Sequence, residues 1–396
     1  MTARADPDVI DFEELEWERF SRLPAEQQPE WPDREELRTN LRALPKHDLV
    51  TRESVDELRR ELAGLDAAGG LILQIGDCVE DIDGEVSADT RKKLFFFERA
   101  REHLSDRTGR DVLTVGRIAG QYAKPRSQEH ETVGGAPIPS YRGPIVNAPW
   151  PTEQARRPSP ARIAYAHAAA QVSYQVLADH RRAGAGNRPI WASHEMLLLD
   201  YELRFLRRGG PGNHLATTHW PWIGARTNRI DGAHIAVAAT LNNPVSVKLG
   251  PATAPEEAAG LAAVLNPGDE PGRLTFIARM GHRGIDALRP IVRAVHRRVE
   301  HVNWISDPMH GNTVKAAGGL KTRHVEHIAA ELRSFQEILA EEGRRPAGLH
   351  LEATPDDVYE CAEDSREPED RTRYRTLLDP RLNPEQTTRV LDQWSA

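Results

Sequence analysis

Cysteine is almost missing from this chain: Cys78 and Cys361 are the only two among 396 residues. Two thiols cannot build a disulfide framework, and a reducing cytoplasm is the default expectation. Long apolar runs are missing as well; no stretch approaches the 18 or so residues that a bilayer-spanning helix needs. The first twenty residues, MTARADPDVIDFEELEWERF, are acidic and lack the apolar centre of a secretory signal. There is no basic excess, because Lys+Arg 52 against Asp+Glu 60 gives a net charge of -8. That balance argues against a general nucleic-acid binder, which carries a basic field. No internal repeat or low-complexity tract is visible. What is present is ordinary for a folded domain, with 39% hydrophobic and 28% charged residues. The expectation is a soluble cytoplasmic globular protein, first of all an enzyme, with neither membrane nor nucleic acid as partner. At about 150 residues per domain the length allows two or three domains. One α/β barrel with insertions is equally compatible.

Residues 1–65 read as an arm of helices and proline-containing links, with ESVDELRRELAGL as its second helix. From residue 71 short apolar runs alternate with amphipathic stretches. The runs are LILQI (71–75), DVLTVG (111–116), PIWAS (189–193), HLATTH (214–219), PVSVKLG (244–250), LTFIAR (274–279), VNWIS (302–306) and GLHLEAT (348–354). Helical candidates such as TRKKLFFFERAREHL, ARIAYAHAAAQVSYQVLADHRR and PEEAAGLAAVL lie between them. Strands alternating with helices imply parallel βαβ units, and eight strands close a (β/α)8 TIM barrel. The reading is therefore an N-terminal helical arm (1–65) and a catalytic barrel (66–396). The proline-rich segment 123–160 is expected to be a long structured loop.

In such a barrel the chemistry sits after the C-terminal ends of the strands. Two groups of residues fall there. Cys78, His310, Glu352 and Asp379 combine a thiol, an imidazole and two carboxylates, a mixed set that suits Mn²⁺, Fe²⁺, Co²⁺ or Zn²⁺ better than Ca²⁺ or Mg²⁺. The plain alternative is a buried small thiol, a core histidine and surface acids. Arg117, Lys124, Arg226, Lys248 and Arg279 are long cations near the ends of buried strands and must face something negative. That partner is either a multiply charged phosphate or carboxylate substrate, or acids of the chain such as Asp77, Glu195 and Asp231.

The segments GDCVED, GRIAGQYAKPRS, SHEMLLLDYE, WIGARTNRIDGAHI, NPVSVKLGP, ARMG, DPMHGNT, KTRH, HLEAT and DPRLN resemble, in this order, the signatures of class II 3-deoxy-D-arabino-heptulosonate 7-phosphate (DAHP) synthases. The resemblance covers about residues 70–385. It implies a (β/α)8 barrel that condenses phosphoenolpyruvate with erythrose 4-phosphate at the entry to the shikimate pathway and aromatic amino acid biosynthesis. Carried over, the metal ligands fall on Cys78, His310, Glu352 and Asp379, with Mn²⁺ or Co²⁺ as first expectation and Fe²⁺ or Zn²⁺ as further ones. Phosphoenolpyruvate falls to Arg226, Lys248 and Arg279 with the Ala225 backbone, while Arg117 and Lys124 reach its carboxylate end and the reacting centre. Arg126 and Ser127 would hold the phosphate of erythrose 4-phosphate. Lys124 is the candidate proton donor to the new alkoxide, and Glu195 the candidate for orienting the attacking water. A homo-oligomer, first of all a dimer, is also implied.

Two positions and one stretch depart from the family pattern. Ile75 replaces a glycine and is expected to crowd the first loop; Ala225 replaces a glutamate. The stretch from Asn147 to Pro189 is short, as in members serving secondary metabolism of the phenazine type, and leaves little chain for an aromatic amino acid inhibitor pocket. Two further readings stay open: condensation with an amino or imino analogue of erythrose 4-phosphate, and a non-catalytic regulatory barrel that binds a chorismate mutase.

Overall fold

The computed structural model describes residues 18–183, 188–209, 212–316, 318–365 and 371–395; the first 17 residues of the expected arm lie outside them. Among the described residues, a helical stretch at 18–21 and two longer helices precede the sheet. Helix α1 (Arg34–Ala43) starts at Asp33, whose carboxylate accepts from the Glu35 and Glu36 amides and so satisfies donors left open in the first turn. Helix α2 spans Arg52–Ala67.

Eight parallel strands follow: β1 (Leu71–Gly76), β2 (Val112–Arg117), β3 (Ile190–Ser193), β4 (Trp222–Ile223), β5 (Val245–Leu249), β6 (Leu274–Ala278), β7 (Asn303–Ser306) and β8 (Pro346–Glu352). Their order in the sheet is β3-β2-β1-β8-β7-β6-β5-β4. The ends of that sheet meet through a bridge between Glu195 and Trp222, with the Trp222 amide donating to His194 O at 3.1 Å and the Met196 amide to Trp222 O at 2.9 Å. The result is a nearly closed (β/α)8 barrel. Among the connecting helices are α3 (Val86–Thr108) after β1, α4 (Arg162–Ala183) after β2, α5 (Leu199–Arg204) after β3, α6 (Ala233–Thr240) after β4, α7 (Pro255–Leu265) after β5, α8 (Leu288–His296) after β6, α9 (Val325–Glu341) after β7 and α10 (Pro384–Leu391) after β8.

Seven of the expected strands are in place, but the fourth is not HLATTH. His214–Leu215 pairs antiparallel with Leu206–Arg207 in a separate ribbon, and the fourth barrel strand is Trp222–Ile223. The cause is side-chain capture: Asn243 accepts from the Leu215 amide and donates to Leu215 O, holding this segment outside the ladder. Segment 123–160 carries a small ribbon, His130–Val133 with Ala136–Pro139.

Side chains of β1 alternate between two environments, as the strand period requires. Leu71, Leu73 and Ile75 belong to the main cluster between sheet and helices, while Ile72 belongs to the barrel interior. Ile75 therefore packs toward the helices rather than crowding the first loop. Leu58, Leu62 and Leu65 of α2 share the interior cluster with Ile72, Leu113, Val115, Trp191, Trp220, Ile277 and Ile305. Arg59 reaches Asn242 just before β5, so α2 closes the end of the barrel where the strands begin. Helix α1 packs Leu37 and Leu41 on Tyr122, Ile145, Leu197 and Phe205, beneath the loops after β2 and β3.

If α2 is the bottom of the barrel core, Leu62→Ala should cost about 2–5 kcal/mol, as for other fully buried leucines. Tyr165→Ala, at a position 69% exposed, should change little. Urea unfolding followed by circular dichroism measures both; equal effects would contradict this packing.

Candidate active site

Glu352, at the end of β8, is fully buried. Its Oε1 lies 2.8 Å from Arg117 Nη2, 2.9 Å from Lys124 Nζ and 2.9 Å from His310 Nε2, and its Oε2 lies 2.8 Å from Arg323 Nη1. Burial alone would raise its pKa, but these cations outweigh it and hold the carboxyl well below the usual range. Asp379 faces the same ammonium, with Oδ2 3.0 Å from Lys124 Nζ, and Lys321 donates to its other oxygen at 2.9 Å. Lys124 also hydrogen-bonds with Cys78 and lies 3.3 Å from His310 Nε2. The four predicted ligands thus come together around one cation, the Lys124 ammonium. Donor atoms of Cys78, Glu352 and Asp379 all fall within 4.8 Å of one another. Without a metal the Cys78 thiol is pushed up to about 12 by burial and by the Glu352 charge.

The local fold explains why these residues meet. Arg381 bridges Asp77 Oδ1 at 2.7 Å and Glu360 Oε1 at 2.8 Å, which ties the Asp379 loop to the residue next to Cys78. A bridge between Ala353 and Leu382 aligns the same loop with the end of β8. His310 is oriented from behind: its Nδ1 lies 2.7 Å from Asp307 Oδ2, leaving Nε2 toward Glu352. Such a carboxylate–imidazole pair is the usual support of a histidine ligand.

The loop after β2 is folded around Glu80, whose carboxylate accepts from the Ala119, Gly120 and Gln121 amides. Gln121 then links three loops. Its Nε2 donates to Cys78 O and Ala123 O, and its Oε1 accepts from the Glu195 amide. Glycine leaves room at two contacts: a Cβ on Gly120 would fall 2.1 Å from His194 Nδ1, and one on Gly224 would fall 2.1 Å from Glu195 Oε1 and displace that carboxylate.

Above this cage opens a cavity of about 700 Å³ lined by Arg117, Lys124, Arg126, Ser127, Glu195, Ala225, Arg226, Lys248, Arg279, His310 and Asp379, among others. Cys78 and Glu352 are absent from its wall; both are buried behind Lys124. The cations divide into two sets. Arg117, Lys124 and Lys248 are paired with the carboxylates of Glu352 and Asp307, which are buried, and of Asp379, which is half-buried. Arg226 donates only to Ser127 Oγ at 3.0 Å, and Arg279 to His310 O at 3.1 Å, so both keep charge to offer. Arg126 spans Tyr141 O and Glu131, and its amide donates to Gln27 of the N-terminal arm at 2.8 Å. Burial lowers Lys248 to about 8 despite Asp307. Burial raises Glu195 above the usual carboxylate range against the pull of Lys248 and Lys124, and its Oε1 has no hydrogen-bond partner.

Asp307 stands beside His310 at the end of the seventh apolar run, but the sequence assigned it no role, and Arg323 was not singled out; they lie in the quoted segments DPMHGNT and KTRH. Only their depth, 0% exposed in each case, separates them from ordinary surface charges. Asp231, considered as a partner for the mouth cations, pairs instead with Arg229.

A (β/α)8 barrel with a thiol–imidazole–carboxylate cage beneath an arginine- and lysine-lined mouth is an enzyme scaffold for anionic substrates. The chain matches the Class-II DAHP synthetase family over residues 15–187 and 176–392. It is 40% identical over 385 residues to a probable phospho-2-dehydro-3-deoxyheptonate aldolase of Pseudomonas fluorescens, covering 96% of both chains. It is 38% identical over 420 residues to a phospho-2-dehydro-3-deoxyheptonate aldolase of Streptomyces coelicolor, covering 92% of this chain and 93% of the relative. A relative in Mycolicibacterium smegmatis with the same enzyme name is 35% identical over 92% of this chain and 90% of its own length. The structure of a phospho-2-dehydro-3-deoxyheptonate aldolase from Francisella tularensis superposes with a TM-score of 0.52 at 14% identity, over 93% of this chain and 97% of the other, which speaks to the fold. The chain belongs to the class II DAHP synthetase family.

Glu352→Gln removes the negative charge that faces Arg117, Lys124 and Arg323 and leaves buried cations undercompensated. A loss of about 3–5 kcal/mol in unfolding free energy is expected for metal-free protein, read by urea denaturation. Unchanged stability would mean that the cations do not depend on this carboxylate.

Proposed function

We propose that this chain is a DAHP synthase: it joins C3 of phosphoenolpyruvate to the aldehyde carbon of erythrose 4-phosphate, adds water at C2 and releases inorganic phosphate. The supporting observation is the Lys124 ammonium, which sits at once in the donor cage and on the wall of the anion-collecting cavity. Arg226, Arg279 and Lys248 bind phosphoenolpyruvate as charge-assisted donors, with the Ala225 backbone beside them. Arg117 and Lys124 hold its carboxylate end. Arg126 and Ser127 bind the phosphate of erythrose 4-phosphate, and the Arg226–Ser127 contact sets the two substrate sites side by side. Holding C3 within reach of the aldehyde supplies much of the acceleration, because phosphoenolpyruvate is a weak carbon nucleophile. Lys124 delivers a proton to the developing alkoxide. Glu195, with an unpartnered buried oxygen, orients the water that adds at C2.

The donor set fits a divalent ion held by Cys78, His310, Glu352 and Asp379, since these groups already enclose a cation. When bound, an ion there supplies Lewis-acid polarisation of the aldehyde oxygen. The mixture of thiolate, imidazole and carboxylate favours Mn²⁺ or Co²⁺ first, then Fe²⁺ or Zn²⁺.

The alignment with the S. coelicolor relative needs 420 positions, more than the 396 residues of this chain, so that relative carries segments absent here. Between β2 and β3 one long helix, α4, provides the crossover. A secondary-metabolic role with weak feedback control fits this economy; a cytoplasmic setting and a homodimer belong to the same proposal. Among the described residues no helix is long and apolar enough to cross a membrane. Ala225, on the cavity wall next to Arg226, leaves room for an amino analogue of erythrose 4-phosphate as alternative substrate. A non-catalytic barrel that binds a chorismate mutase has no use for an assembled cage.

Phosphate release from phosphoenolpyruvate should require erythrose 4-phosphate; release with neither it nor its amino analogue able to stimulate the rate would reject the proposal. Cys78→Ser should lose both bound metal and nearly all turnover. Arg279→Ala should raise KM for phosphoenolpyruvate far more than that for erythrose 4-phosphate, a deficit of about 2–5 kcal/mol. Phe, Tyr and Trp at millimolar concentration should leave the initial rate largely unchanged; severalfold inhibition by any of them would point to primary metabolism.

A further inference from the structure

Outside the substrate cavity, the start of α9 gathers a second set of metal-ligating groups. His324, the residue before the first turn, and Glu326 and His327 within it place a ring nitrogen, a carboxylate oxygen and a ring nitrogen within 4.8 Å of one another. The Glu326 Oε1 to His327 Nε2 distance is 3.5 Å. Two donors bound at 2.0–2.1 Å to a tetrahedral ion stand about 3.4 Å apart, so this pair is already at ligand spacing. The His324 and His327 ring centroids lie 4.9 Å apart. His324 Nδ1 is shielded from solvent and has no hydrogen-bond partner, a cost that a protein usually offsets with a water or an ion.

A third imidazole supports the arrangement. The His282 ring stacks on His327 with centroids 3.9 Å apart and 14° between planes, and its Nδ1 lies 2.8 Å from Asn312 Oδ1. His282 thereby fixes the plane of His327. Burial and the neighbouring His282 and His324 lower the pKa of His327. Arg283 adds an opposing positive charge and Glu326 a favourable negative one. Unlike the Cys78 cage, this cluster is open to solvent, since Glu326 is exposed and both histidines are half-buried.

We infer that His324, Glu326 and His327 form a second, surface site for a transition-metal ion of the Zn²⁺ or Co²⁺ class, distinct from the Cys78 cage. Two imidazoles and one carboxylate with open positions suit such ions and disfavour Ca²⁺ or Mg²⁺. The chain then takes up two ions of the same class at sites of different depth, and its metal content exceeds what the cage alone accounts for.

Metal-free full-length protein dialysed against micromolar Co²⁺ tests this, because a thiolate ligand gives a near-ultraviolet charge-transfer band and the second site has no sulfur. Wild type should hold one more equivalent than the band reports. His327→Ala and Glu326→Gln should lose that extra equivalent and keep the band, while Cys78→Ser should lose the band and keep the extra equivalent. Unchanged thermal melting of His327→Ala shows that the loss is not unfolding. Wild type binding no sulfur-free equivalent, or His327→Ala retaining it, overturns the proposal. Either result leaves the DAHP synthase reading untouched, which rests on substrate-dependent phosphate release.

Discussion

A carboxylate with no access to water has to be neutralised, and the barrel mouth is organised around doing so for Glu352. Its four partners come from separate parts of the chain: Arg117 from the end of β2, Lys124 from the loop beyond it, His310 from the loop after β7 and Arg323 from the segment before α9. Removing any one would leave the others facing an altered charge balance in a medium where imbalance is expensive. The same requirement extends outward. Lys248 is paired with Asp307, which orients His310, and Lys321 is paired with Asp379. Loops from different βα units are thereby coupled into one polar body resting on an apolar barrel.

Charge counting across that body shows why it suits anions. Arg117, Lys124, Arg323, Lys248 and Lys321 face Glu352, Asp379 and Asp307, with Glu195 as a fourth carboxyl group on the wall, while Cys78 remains a neutral thiol. Arg226 and Arg279 add two guanidiniums held only by neutral acceptors. The surplus is positive on the cavity side, although the chain as a whole carries -8. A phosphate or carboxylate entering the mouth meets Lys124 and Lys248 already buried and held in place, so little reorganisation of those groups is left to oppose binding.

The barrel was readable because buried parallel strands appear as short apolar runs, and their ends mark where chemistry belongs. That logic fails at β4. In THWPWIGART the strand is two residues long and follows Pro221, so its apolar signal is too brief to stand out, whereas HLATTH alternates like a strand but is captured by Asn243. What qualifies Trp222 is long-range, namely the bridge to Glu195 that brings the sheet ends together. The cage residues were legible as chemical types at strand ends, but their convergence rested on resemblance rather than spacing. Asp307 was visible at a strand end but its role was not, and Arg323 was not legible at all, since in a chain with 28% charged residues only burial distinguishes a structural ion from a solvated one. Ile75 shows the opposite error: a substitution that looks intrusive in the sequence is harmless once the strand period turns it toward the helices.

Lys124 connects the two halves of the site thermodynamically. Its ammonium draws on the lone pairs of Glu352, Asp379 and Cys78, the donors a divalent ion would use, and it also lines the cavity that collects anions. Any anion that gives Lys124 a new partner weakens its hold on the cage donors, and any cation taken up by those donors frees the ammonium for an anion. Linkage makes the two effects equal in size, because each is the same coupling free energy seen from one side. The order in which ion and anion arrive does not change that coupling; only their joint presence satisfies both the carboxylates beneath Lys124 and the guanidiniums above it.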